Sequence, residues 1–136
     1  MENHQPYNER LEHPHDFEVD YRILTESEGG RKTLPYQGIR WDFWYEYNGK
    51  HKGQLFMIWP EFMDKNGKVI TQKNSPVPSS GKARMWIIND ALRKYHQDKI
   101  RLGMKGNGHE GGTVVAKYVV SKIVGLMTNP VKEIEE

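Results

Sequence analysis

The sequence predicts an all-β protein, a small closed antiparallel barrel of six or seven short strands with at most one short helix. The densest aromatic run places rings at every second position: Trp41, Phe43, Tyr45 and Tyr47. These rings share one face of a strand, while Trp44 points to the other face. A strand with large apolar groups on both faces needs cover on both sides, which favours a closed or sandwiched sheet. Two Asn-Gly pairs, at residues 48–49 and 66–67, add strong hairpin signals.

A length of 136 residues predicts one domain, and we place its barrel at residues 17–128. Residues 1–16 are rich in Asn, His, Glu and Pro and show no periodicity, so they are predicted to form a flexible arm. His13, His15 and Asp16 are metal-ligand types, but a flexible arm supplies no fixed geometry, and we expect no metal site there. Residues 129–136 form an acidic tail.

The first half of the domain divides into strands at its turn signals. Residues 17–24 alternate apolar and charged side chains, the two-residue period of a half-buried strand. Gly29-Gly30 then turns the chain toward the aromatic strand. Asn48-Gly49 returns the chain into a strand over residues 54–59, which we expect Pro60 to end.

The second half contains one ambiguous segment and one strong strand. Asn66-Gly67 predicts a second hairpin, and the prolines of residues 73–81 predict a loop. Residues 89–95 have helical spacing for one or two turns, with Asn89 or Asp90 as the N-cap. Residues 99–104 are predicted as a further strand. Residues 113–126 are rich in β-branched side chains and predict the last strand.

Composition limits the classes of protein that this chain can represent. It contains no cysteine, which excludes disulfides and thiolate metal sites. No apolar run reaches the roughly 20 residues of a membrane span, and no signal peptide opens the chain, so we expect a soluble cytoplasmic protein without a membrane partner.

The net charge of +2 hides an uneven distribution along the chain. Residues 1–28 hold eight acids and two bases, whereas residues 82–105 hold seven bases and two acids. A basic middle can attract phosphate or an acidic partner. The alternative is a solvated basic surface that the acidic N-terminal segment partly neutralises.

Two segments carry a resemblance to a known family. The first contains Glu28-Gly29-Gly30-Arg31-Lys32-Thr33, then Gly38, Arg40 and Phe43-Trp44-Tyr45. The second contains Glu110-Gly111-Gly112, then Val115, Val119-Val120 and Lys122-Ile123. In order and separation these residues resemble the third, C-terminal barrel domain of translation elongation factor Tu, here without the GTPase domain. The resemblance implies a six-stranded antiparallel barrel.

The chain departs from that family at several positions. Residues 62–82 form a longer excursion than the family's turn, and Trp41 stands where the family has proline. Gly106-Asn107-Gly108 replaces an apolar strand, so we expect a frayed strand or a loop there, leaving an exposed edge that permits a weak dimer. The glycines of residues 103–108 lack the lysine and hydroxyl of a phosphate loop, so no nucleotide is expected.

The resemblance also implies a candidate binding site. The family residues that face the tRNA backbone correspond to Arg31, Lys32, Asp42, Glu110 and Gly111, with Arg40 close by. The three cations are suitable phosphate partners. A carboxylate at Asp42, where the family has a neutral amide, would repel phosphate.

The sequence therefore favours a non-catalytic binding module, with no cofactor, that docks onto another protein as a monomer or weak dimer. Weak RNA binding through the basic middle is the alternative. A small hydrolase-type enzyme using His96 or His109 is a third reading, and it requires a pocket that pairs one of these histidines with a carboxylate.

Overall fold

The computed structural model describes residues 3–46 and 54–132. Its strands are β1 Phe17–Ile23, β2 Asp42–Tyr45, β3 Ile58–Phe62, β4 Ser80–Ile87, β5 Lys105–Glu110 and β6 Thr113–Ile123. Its helices are α1 Tyr7–Leu11 and α2 Arg93–Gln97, with 3₁₀ turns at Glu26–Glu28 and Asp90–Leu92. The mostly-β prediction is confirmed, but the limit of one short helix is wrong, because α1 forms within the predicted arm. Over the described ranges, no helix has the length and apolar character needed to cross a membrane.

The six strands form one antiparallel sheet in the order β2-β5-β6-β1-β4-β3, curled into a half-barrel. Its two edges approach each other near Phe43. There Phe43 of β2 and Phe56, two residues before β3, exchange backbone hydrogen bonds of 2.8 and 2.9 Å. Among the described residues, the two edges are therefore in contact and are joined by an isolated backbone bridge.

The concave side of the sheet holds the core. Its largest members are aromatic and fully or almost fully buried: Phe17, Tyr21, Trp41, Phe43, Tyr45, Phe62 and Tyr118. The rings meet edge to face in several pairs, including Phe43 with Phe17 and Tyr45. The alternation predicted for the aromatic run is thus confirmed from Trp41 to Tyr45, and Tyr47 lies outside the described residues.

Strand β5 corrects the prediction for residues 106–108. These residues are neither frayed nor a loop, because β5 pairs with β2 on one side and with β6 on the other. A Cβ on Gly106 would lie 2.4 Å from the Phe43 ring, and one on Gly108 would lie 2.5 Å from the Tyr118 hydroxyl. The two glycines therefore leave space for core rings, and the exposed edge expected at this segment does not exist.

Two further boundaries differ from the prediction. Pro60 lies inside β3 instead of ending a strand, which is possible because β3 is an edge strand where a missing N–H breaks no ladder. Residues 99–104 form the turns that follow α2, and β5 begins only at Lys105. Other turn signals are confirmed: Asn66-Gly67 closes a hairpin bridged by Met63 and Val69.

The helix cap at residue 89 is also as predicted. The Asn89 side chain accepts a hydrogen bond of 3.1 Å from the Ala91 amide at the start of the turn that leads into α2. The hairpin predicted at residues 48–49 lies outside the described residues.

The segment predicted as a flexible arm packs on the outer face of β3 and β4. The buried Glu61 carboxylate accepts hydrogen bonds from His4 Nε2 (2.6 Å), the Tyr7 amide (2.9 Å) and Trp86 Nε1 (3.0 Å). Trp86 faces outward on β4 and needs cover, which Tyr7 supplies edge to face. The absence of periodicity concealed this packing, because α1 has only five residues and contributes one buried ring.

Acidic residues of the N-terminal part pair with bases of the middle, once in a buried position and once on the surface. The buried Arg93 donates through Nε to Asp16 at 2.8 Å, and Lys82 lies 2.7 Å from Asp20. Asp16 also accepts from the Ile87 amide and from Asn129, so the predicted arm and the start of the predicted tail meet at α2.

Candidate binding site

Most of the residues predicted as a site gather where β2 begins and the β5–β6 hairpin turns. Arg31 contacts Glu110 at the end of β5, and Asp42 pairs in register with His109. Gly111 forms the hairpin turn with a φ of 59°. Arg40 is not part of this group.

The Arg31 guanidinium is engaged inside the molecule. Its Nε lies 3.4 Å from Glu110 Oε2, and Trp41 Nε1 donates to the other Glu110 oxygen, also at 3.4 Å. Glu110 thus joins the loop that contains Arg31 to the buried Trp41 at the entrance to β2. The positive charge of Arg31 is balanced by its own chain.

Arg40 is also engaged, in a different place. Its guanidinium lies over the ring of Trp59 on edge strand β3, 4.8 Å from the ring centroid. This cation–π contact covers an outward-facing tryptophan. Lys32 is exposed. Of the three cations in the predicted site, it is the one that makes no ion pair or cation–π contact within the described part of the chain.

The outer face of β2 carries a pattern that we call the β2 outer stripe, defined as Asp42, Trp44 and Glu46. Phe43 and Tyr45 point into the core, so the residues between and after them point outward. Trp44 is partly exposed and stacks on His109 of β5, with ring centroids 5.1 Å apart and ring planes 16° apart.

His109 supports Trp44 as a neutral aromatic ring. It is 8% exposed. Burial lowers the pKa of His109, while the backbone of Gly111 and the charge of Asp42 oppose that shift. A neutral imidazole fixed between two strands holds the indole of Trp44 in one orientation.

The two carboxylates of the stripe, Asp42 and Glu46, have few ion-pair contacts among the described residues. Asp42 makes no ion pair with any residue in the two described ranges, and Glu46 meets Lys117 only at 3.8 Å. Next to Trp44, two buried acceptor atoms have no hydrogen-bond partner: Asn107 Oδ1 and His109 Nε2. Asn107 lies directly across from Trp44 in the β2–β5 register.

The two histidines proposed for catalysis lie in different surroundings, and His109 is paired in register with Asp42. His96 is buried beside Tyr45, whose hydroxyl lies 2.5 Å from Nδ1, and burial lowers the pKa of His96 to about 4. An open cavity of about 380 Å³ contains neither His96 nor His109. It is lined by Asp64, Val69, Ile70, Thr71, Gln72, Ser75 and Pro76. Within residues 3–46 and 54–132, no group of three His, Asp or Glu is arranged to hold a metal.

Comparison with known proteins adds no relative. The chain matches no protein-family model and no curated protein. The resemblance to the third domain of elongation factor Tu therefore rests on the residues that carry it and stays a prediction.

Sequence reasoning identified Asp42 but missed its surroundings. The alternation of Asp42, Trp44 and Glu46 was readable from the two-residue period. The support from His109 and Asn107 was not, because the glycines of β5 hide its strand character.

Proposed function

We propose that this chain is a non-catalytic binding module that docks onto another protein through the β2 outer stripe. One observation carries the proposal. The Trp44 indole is partly exposed, lies between two carboxylates, and is fixed in orientation by the His109 ring stacked on its inner side. Tryptophan is enriched among the residues that dominate protein interfaces, and such anchors are surrounded by polar groups. A preoriented anchor also loses little conformational freedom on binding.

The distribution of charge supports a protein partner over a phosphate backbone. Arg31 is paired with Glu110 and Arg40 is stacked on Trp59, so of the three cations in the predicted site Lys32 is the one left for phosphate contacts. Asp42 and Glu46 would repel a polyanion approaching the same face.

We also infer that the curled sheet closes into the barrel that the resemblance implies. The reciprocal hydrogen bonds between Phe43 and Phe56 support this, because they connect the two edge strands. A closed barrel would hold β2 rigidly enough to present Trp44. The absence of cysteine agrees with a reducing, cytoplasmic setting.

The test is capture of partners from cell extract by the immobilised protein, with and without nuclease. We expect a protein that survives nuclease and is lost with Trp44→Ala. Leu102→Ala is the control, since Leu102 is 66% exposed on the turn between α2 and β5, is not part of the stripe, and should leave capture unchanged. Capture of nucleic acid alone, or equal capture by the Trp44→Ala variant, would refute the proposal.

A further inference from the structure

We propose that the β2 outer stripe recognises an arginine side chain of its partner, with the guanidinium stacked on the exposed side of Trp44 between Asp42 and Glu46. This inference rests on the proposed docking function and specifies the chemistry of the partner. His109 occupies the inner side of the indole, so the ligand takes the side that faces solvent.

The molecule contains an example of the same contact. Trp59 faces outward on edge strand β3 and is covered by the guanidinium of Arg40. Trp44 faces outward on the other edge strand, β2, and no guanidinium or ammonium group of the described residues lies over it. Each edge strand therefore presents an outward-facing tryptophan, and among the described residues a cation lies over Trp59 but not over Trp44.

The flanking charges favour a cation at this position. Alternate residues on a strand lie about 7 Å apart, so a carboxylate stands on each side of the indole. Of the bases near the stripe, Arg31 lies beside Glu110 and Lys117 lies 3.8 Å from Glu46, while Lys105, whose carbonyl accepts a hydrogen bond from the Glu46 amide, makes no ion pair among the described residues. Asp42 is left with a negative charge that a bound cation would neutralise.

The shape and the donor set of the side chain favour arginine over lysine. Arginine combines a planar group that stacks on an aromatic ring with several N–H donors, whereas lysine presents a compact, strongly hydrated charge.

The experiment is a ¹H–¹⁵N NMR titration of the full chain with acetyl-Gly-Arg-Gly-amide and with its lysine and citrulline analogues. The indole N–H signal of Trp44 is assigned with Trp44→Phe. We expect this signal to shift saturably with the arginine peptide, several-fold more weakly with lysine, and not with citrulline, which keeps the shape of arginine without its charge. Equal shifts with arginine and citrulline, or no shift, would overturn the inference.

Charge variants give a second readout on the same peptide. Asp42→Asn and Glu46→Gln should each weaken arginine-peptide binding by about three- to fivefold, the effect of an exposed charge pair. Glu26→Gln removes an exposed carboxylate elsewhere and should have no effect. If a protein is captured through Trp44 but these variants bind the arginine peptide like the wild type, the arginine inference fails and the docking function stands.

Discussion

Replacing Gly106 by alanine tests the packing of β5 against the core. The new Cβ would lie 2.4 Å from Cζ and 2.8 Å from Cε2 of Phe43, closer than such atoms approach in proteins. The Phe43 ring has little room to retreat, because it is fully buried, meets Phe17 and Tyr45 edge to face and stacks on Tyr118. Overpacking of this kind costs about 1–3 kcal/mol. For a domain of this size that lowers Tm by about 3–10 °C.

The assay is thermal and urea unfolding followed by circular dichroism. Gly112→Ala is the matched control, since nothing lies within 4 Å of its Cβ position, and it should change stability by less than about 0.5 kcal/mol. Phe43→Leu shortens the obstructing ring and should cost less in the Gly106→Ala background than in the wild type. Wild-type stability of Gly106→Ala, or additive effects in the double variant, would refute this packing.

Three other perturbations test the fold. Arg93→Met leaves the carboxylate of Asp16 buried without its cation and should cost about 3–5 kcal/mol in urea unfolding, with partial recovery when Asp16→Leu is added. Because burial lowers the pKa of His96 from 6.5 to about 4, the unfolded chain binds this proton first as pH falls. Stability should therefore decline by about 1.4 kcal/mol per pH unit from pH 6.5 to 4, and His96→Gln should reduce that slope. Deleting residues 1–12 removes two of the donors to Glu61 and should red-shift tryptophan emission and lower stability by about 3–6 kcal/mol, whereas a free arm predicts no change.

Regular alternation made part of this fold predictable. Strand β1 and the aromatic strand β2 each place apolar side chains at every second residue, and β6 is rich in β-branched residues. These patterns reflect burial on one face of a pleated sheet, which is a local property of the chain.

Two other parts were not predictable, because their stability comes from residues distant in sequence. The strand around Asn107 depends on the rings of Phe43 and Tyr118 filling the space above two glycines. The N-terminal segment is ordered by Glu61, which lies 57 residues after His4. Neither of these long-range contacts produces a periodic pattern in the local sequence.

The candidate site likewise contains a part that the local sequence predicts and a part that depends on residues distant in sequence. The resemblance placed position 42 in the candidate site, and the carboxylate of Asp42, which departs from the family's neutral amide, was noted as unsuited to phosphate. Its role depends on contacts between residues distant in sequence, which the folded sheet brings together. These are the stacking of His109 on Trp44 and the pairing of Glu110 with Arg31.

The most direct test of the docking surface is photo-crosslinking in cell extract. A photoreactive phenylalanine analogue replaces Lys117, which borders the stripe at Glu46, or Leu102, an exposed residue outside the stripe, as the control. We predict a protein adduct from position 117 that is absent from position 102 and is competed by the arginine peptide. Adducts with nucleic acid, or a protein adduct from position 102 alone, would contradict the assignment of the β2 outer stripe as the docking surface.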